Sequence, residues 1–170
     1  DGTPINELAL IAFPTGELFG SKIGDFDLII FDRYSNQSIL PYVYFENIAR
    51  YVKNGGALLM AVGPDYSGPD GLYYSPLGSI APVRPDGRVM ETPFRPKVTA
   101  DGEKHPVTRG LAGSEQDPPA WSLWFRQVDG DVTKGLPVMS GAEGRPLVVL
   151  SREGKGRVAQ MLSDQIWLWA

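Results

Sequence analysis

Ser67, His105 and Asp65 are the residues of this chain whose types could together perform nucleophilic catalysis. A serine hydroxyl needs a base to take its proton, and His105 is the single imidazole in the sequence. Asp65 or Asp32 would then orient the ring, as in a serine hydrolase. The surrounding run Val62-Gly63-Pro64-Asp65-Tyr66-Ser67-Gly68 lacks the G-x-S-x-G turn that normally presents such a serine. Without catalysis, Ser67 reads as a turn serine in a Pro/Gly-rich loop, and His105 as the residue that fixes a His-Pro turn. The chain has no cysteine, which excludes thiol nucleophiles, thiolate metal sites and disulfides. A zinc site would rest on His105 and carboxylates alone, so neither a metal nor another cofactor is expected.

A ligand site is expected instead where two apolar runs end. Asp27-Leu28-Ile29-Ile30-Phe31-Asp32 and Ala57-Leu58-Leu59-Met60-Ala61-Val62 both read as buried strands. Asp32, Arg33 and Tyr34 close the first, and Gly63, Asp65 and Tyr66 close the second. Between them lies a helix from Ser38, with Tyr44, Phe45, Ile48, Tyr51 and Val52 on its apolar face. Glu46 and Arg50 are spaced to pair along it, and Asn54-Gly55-Gly56 stops it. Strand, helix and strand in this order predict a right-handed crossover and a parallel pair. Ligands of open α/β sheets bind outside the carboxyl ends of such strands. Asp32 and Arg33 could equally form local surface pairs.

The remaining elements are less regular. Thr15 can cap a short helix carrying Leu18, Phe19 and Ile23. Leu8 to Phe13 is an apolar run of either strand or helix type. Proline and glycine break the pattern from Asp65 to Asp117, leaving short elements at Leu77–Ile80 and Arg88–Met90. Trp121 to Val128 alternates as a strand does, and Leu136–Met139 reads as another. Trp121, Trp124 and Arg126 form an aromatic and cationic group that could stack a sugar, anchor an interface, or simply pack inward. Pro146–Leu150 and Arg157–Leu162 flank Glu153-Gly154-Lys155-Gly156, a hairpin turn rather than a phosphate loop. Ser163-Asp164 then caps a last helix, where Trp167 and Trp169 would bury.

The chain has 170 residues, which suits a single domain over 1–170. The hydrophobic fraction is 42% and the net charge is −4, with no basic stripe. That balance argues against a nucleic-acid partner. No apolar run reaches the roughly 20 residues of a membrane span, so direct membrane insertion is not expected. The opening Asp1-Gly2-Thr3-Pro4 and the closing Ile166-Trp167-Leu168-Trp169-Ala170 lack the usual end signals, so the domain is read as excised from a longer protein.

Several motifs taken in order resemble a known superfamily. They are the DLIIFD run of Asp27–Asp32, the YVKNGGALLMAVGP run of Tyr51–Pro64, His105-Pro106-Val107-Thr108-Arg109-Gly110-Leu111, and Gly154-Lys155-Gly156-Arg157-Val158 before Leu162-Ser163-Asp164. This order is similar to the glutamine amidotransferase-like superfamily, and within it to the ThuA-like and putative glutamine amidotransferase branches. The resemblance implies an α/β fold, a three-layer flavodoxin-like sandwich with a mostly parallel sheet and a C-terminal β-hairpin. It implies a first strand either upstream of Asp1 or at Leu8–Phe13. In catalytic members a cysteine follows the strand matching Ala57–Val62, and a histidine falls near Ser163-Asp164. Here the turn is Gly63-Pro64-Asp65 and no histidine stands near Ser163, so glutaminase activity is not expected.

The expectation is therefore a non-catalytic amidotransferase-like domain serving ligand binding or protein interaction. Its partners would be other domains of a larger bacterial protein and a small molecule. By resemblance, that parent is tethered to a membrane and this domain stays soluble. One alternative is a serine- or carboxylate-dependent hydrolase at the strand ends. The other is a carbohydrate-related module, since ThuA-like proteins are associated with sugar metabolism.

Overall fold

The computed structural model describes residues 14–35 and 40–164. The expected run Leu8–Phe13, the helix start at Ser38 and the terminal Trp167 and Trp169 lie outside those residues. The strand–helix–strand order and the parallel pair form as the sequence predicts. Strand β1 (Leu28–Asp32) leads to helix α1 (Tyr42–Lys53) and then to β2 (Ala57–Ala61), which pairs parallel to β1 with Ile30 opposite Leu59. Phe45, Ile48 and Val52 form the buried stripe of α1, while Tyr44 and Tyr51 pack at its margins. Gly55, at φ 131°, ends the helix in a conformation that L side chains rarely adopt. Arg50 donates to Asn47 Oδ1 at 3.4 Å rather than pairing with Glu46 as its spacing suggests.

The other strands are β3 (Val83–Met90), β4 (Lys97–Val98), β5 (Gln127–Val132), β6 (Leu136–Ser140), β7 (Pro146–Glu153) and β8 (Gly156–Met161). Six of the eight strands among the described residues form one sheet in the order β1-β2-β8-β7-β6-β4. Parallel pairing holds β1, β2 and β8, and antiparallel pairing adds β7, β6 and β4, so four of the six strands run in one direction. The β7–β8 hairpin turns at Gly154 (φ 60°), as expected. A Cβ on Gly156 would lie 1.9 Å from Val52 O, so glycine is what lets this strand start directly beneath α1.

Strands β3 and β5 form a separate antiparallel ribbon. The proline- and glycine-rich stretch between β2 and β3 makes three 3-10 turns, which bury Tyr66, Leu72 and Leu77, and Ile80 follows them into the core. The expected strand at 121–128 is split. Trp124 forms a lone bridge with Phe94, and regular pairing starts only at Gln127. The short segment after Thr15 forms a π turn at Glu17–Ser21 and a 3-10 turn at Ile23–Asp25, both resting on α1.

Continuous apolarity in β1 suggests a strand covered on both faces, and here the structure differs. Ile29 and Phe31 pack into the core, but Leu28 and Ile30 are 47% and 56% exposed. Among the described residues β1 is an edge strand and α1 covers one face of it alone.

Asp129 locks the ribbon to the sheet. Its carboxylate is buried and accepts from Arg145 Nε and from Arg88 Nε and Nη2. Burial alone pushes this carboxyl up, but hydrogen bonds from Arg145, then Arg88 and then Gly130 N–H outweigh it and hold its pKa below the usual aspartate value. A depressed pKa contributes stability that is full above the unfolded value and is lost as pH falls through the folded one. Urea titrations should therefore show stability dropping as pH falls below about 4, with a shallower drop in Asp129→Asn. In the same assay, Ile48→Ala at fully buried α1 should cost about 2–5 kcal/mol at neutral pH.

Candidate functional site at the carboxyl ends of the parallel strands

The parallel strands β1, β2 and β8 end side by side, and the segments leaving them converge on Asp164. Arg33 leaves β1 with φ 45°, a left-handed conformation that is uncommon for a residue with a side chain. Its backbone N–H still reaches Ala61 O at 2.9 Å, which anchors the bend to β2. The bend brings Arg33 Nε to 3.3 Å from Asp164 Oδ2. Gly63 passes so close beneath the same carboxylate that a Cβ would lie 2.8 Å from Oδ2. From the other side, Arg126 donates through Nε at 3.2 Å and Nη2 at 2.9 Å to Oδ1, and through Nη2 at 2.8 Å to Oδ2.

The Asp164 side chain is 1% exposed, whereas that of Arg33 is 44% exposed. The site is thus a buried carboxylate held by one inner and one outer arginine. Ser163 Oγ donates to Arg126 O at 2.8 Å and fixes the backbone behind the inner arginine. Both side chains of the expected helix cap are thereby engaged with the strand ends, and the helix itself would begin beyond the described residues.

The expected site residues are divided by this arrangement. Arg33 and Gly63 belong to it. Asp32 is exposed at the end of β1, and Asp65 is exposed in the first 3-10 turn. Tyr34 and Tyr66 instead turn into the core. The Tyr34 ring packs edge-on against Phe31 at 5.1 Å and Phe45 at 6.0 Å. Tyr66 donates to Val83 O at 2.6 Å, and burial raises its pKa. Both are aromatic residues just past a strand, where packing onto the next layer competes with facing a ligand, and packing prevails.

Ser67, His105 and Asp65 are not assembled into a catalytic group. Ser67 Oγ is buried and makes no hydrogen bond. His105 Nδ1 accepts from Val107 N–H at 3.2 Å, which closes its own turn. The physical reason is the chain path. Thr99 donates to Pro137 O and Gly102 packs against Val138, so the His105 loop is fastened to β6, three strands from β2 in the sheet. Among the described residues, no group of three histidine or carboxylate side chains is placed to hold a metal.

The aromatic group is half-buried and engaged by contacts within the chain. Trp121 Nε1 donates to Pro96 O at 2.7 Å, and Trp124 packs on Phe94 at 6.2 Å. Arg126, which the sequence groups with these tryptophans, belongs to Asp164 instead. The available signal for Asp164 was its place just past the last strand, at an apparent helix cap.

Replacing Asp164 by asparagine leaves two arginines facing a neutral amide. The variant should lose about 3–5 kcal/mol of stability by chemical denaturation, as expected when one partner of a buried pair is removed. Arg33→Ala, at the exposed side, should cost about 1 kcal/mol or less in the same measurement.

No family model matches the chain, and no curated protein matches it in sequence. Solved structures do match its fold. One is a cytoplasmic protein from Salmonella typhimurium LT2, at 21% identity and a TM-score of 0.67, covering 85% of this chain and 63% of that one. A second cytoplasmic protein from Salmonella typhimurium matches at 24% identity and a TM-score of 0.68, covering 91% and 65%. The chain thus spans just under two thirds of the length of each. A beta-galactosidase from Bacillus circulans matches at 10% identity and a TM-score of 0.56, over 86% of this chain and 21% of that one. At these identities the likeness is one of α/β fold.

Proposed function

We propose that this chain is a non-catalytic domain of the glutamine amidotransferase-like kind, which acts within a larger protein by binding a ligand or partner at the carboxyl ends of β1, β2 and β8. The observation that carries this reading is the state of Asp164. Near the place where the resemblance puts a catalytic histidine stands a buried carboxylate gripped by Arg126 and Arg33. Such a group is engaged by hydrogen bonds from Arg126 and an ion pair from Arg33, an arrangement suited to holding the strand ends together rather than to activating a nucleophile.

The turn after β2 supports the same reading. An elbow would present a nucleophile there, but Gly63-Pro64 begins a 3-10 turn that carries no thiol, and proline removes a backbone donor. Arg33 is the member of the cluster exposed enough to meet a ligand. A hydrolase built on Ser67 and His105 has no geometric support, since the two do not meet. A sugar-stacking role for Trp121 and Trp124 is disfavoured by their internal contacts. The three-layer flavodoxin-like sandwich remains part of this proposal. A larger parent is supported by the beta-galactosidase match, in which the same fold occupies about a fifth of a longer chain. Among the described residues no helix is long and apolar enough to cross a membrane.

The test is enzymatic. Pure domain incubated with glutamine should release no ammonia above buffer, beside a catalytic amidotransferase as positive control. Ser67→Ala and His105→Ala should leave any background ester or amide hydrolysis unchanged. Ammonia release by the pure domain, or loss of a real hydrolytic activity in both variants, would refute the proposal.

A further inference from the structure

A second concavity lies at the other end of β1 and β2, away from Asp164. It encloses about 560 Å³ and is walled by the 20–27 segment, by α1 and by the turn at residues 54–56. That volume is in the range of small-molecule sites. Asn47, Arg50, Tyr51 and Asn54 line it from α1 and its cap. Their spacing of i, i+3, i+4 and i+7 places them on one face of the helix. Asn47 and Tyr51 of this stripe are half-buried, whereas Arg50 and Asn54, like Asp27 opposite, are exposed at the mouth of the concavity.

Some of these groups hold the walls. Asn47 Nδ2 donates to Phe19 O at 3.0 Å, and Tyr51 Oη donates to Phe26 O at 2.8 Å while accepting from Ala57 N–H at 3.3 Å. Gly20 and Gly24 belong to its near wall, and a Cβ on either would meet nothing within 4 Å.

Two opposite charges on the lining are left over. Arg50 spends one Nη1 contact on Asn47 Oδ1 at 3.4 Å. Asp27 also lines the cavity, and among the described residues no ion pair joins either residue to a side chain of opposite charge. A guanidinium presents a planar fork suited to a carboxylate, and an aspartate accepts from an ammonium. We infer that this cavity binds a small zwitterion of the α-amino-acid class, with its carboxylate on Arg50, its ammonium on Asp27 and the Asn54 amide beside them. This site is separate from the strand-end cluster and does not depend on the function proposed there.

The test uses the whole chain labelled with ¹⁵N, titrated with a panel of free L-amino acids and with acetate and methylammonium, which each carry one half of the charge pattern. At least one amino acid should give saturable shifts at millimolar concentration, confined to the amides of 20–27 and 47–56. Acetate and methylammonium should give none there. Arg50→Gln and Asp27→Asn should each weaken the binding by roughly tenfold or more. Gly24→Leu should abolish it by filling the space, with circular dichroism showing the fold retained. The inference is overturned if no amino acid produces saturable shifts. It is equally overturned if acetate or methylammonium alone matches the amino acid, or if the folded Arg50 and Asp27 variants bind as tightly as the parent chain.

Discussion

Leaving a buried polar group unpaired is costly, and the pairings that avoid this cost join the two sheets of the molecule. Gln127, Asp129, Gln160 and Asp164 are all buried, and each links chain segments that are distant in sequence. Gln160, on β8, accepts from Val83 N–H at 3.1 Å and so fixes the start of β3. Gln127, on β5, accepts from Ala142 N–H and donates to Pro146 O, which holds the turn before β7. Asp129 draws Arg88 and Arg145 onto the ribbon, and Asp164 draws Arg126 and Arg33 onto the strand ends. Hydrophobic burial fills the space between these links without choosing among similar arrangements, because it is not directional. The hydrogen bonds supply that direction.

The strand-end site is one of these links. Its arginines were recruited to satisfy a carboxylate, and the outer one is half in solvent as a result. A structural need thus leaves a guanidinium displayed where α/β sheets commonly bind ligands.

The crossover and the hairpin were legible in the sequence because they are local. Helix α1 shows its stripe through Phe45, Ile48 and Val52, and Gly55 marks its end. Gly154 and Lys155 mark a two-residue turn between strands that need only fold back. The ribbon was not legible. Its two strands lie nearly forty residues apart, they pair across a bulge between Pro85 and Val89, and the loop between them carries only weak periodicity. The two-faced burial expected for β1 did not follow from its composition either, since Leu28 and Ile30 look the same in sequence whichever face an element covers.

The sequence by itself determined the chemistry that this protein lacks. With no cysteine and one histidine, no fold could supply a thiol nucleophile or a second imidazole. It also determined the β1–α1–β2 unit, because periodicity and glycine stops act over a few residues. Only the tertiary structure decided which polar residues matter. Arg126 sits in a run of tryptophans, Asp164 at an apparent helix cap, and Arg33 at the end of a strand 131 positions before Asp164. Their meeting depends on parallel pairing of β2 with both β1 and β8, and on the ribbon that carries Arg126 to the same edge. Pairing between strands so far apart is set by the packing of the whole chain, which leaves no short-range pattern to read.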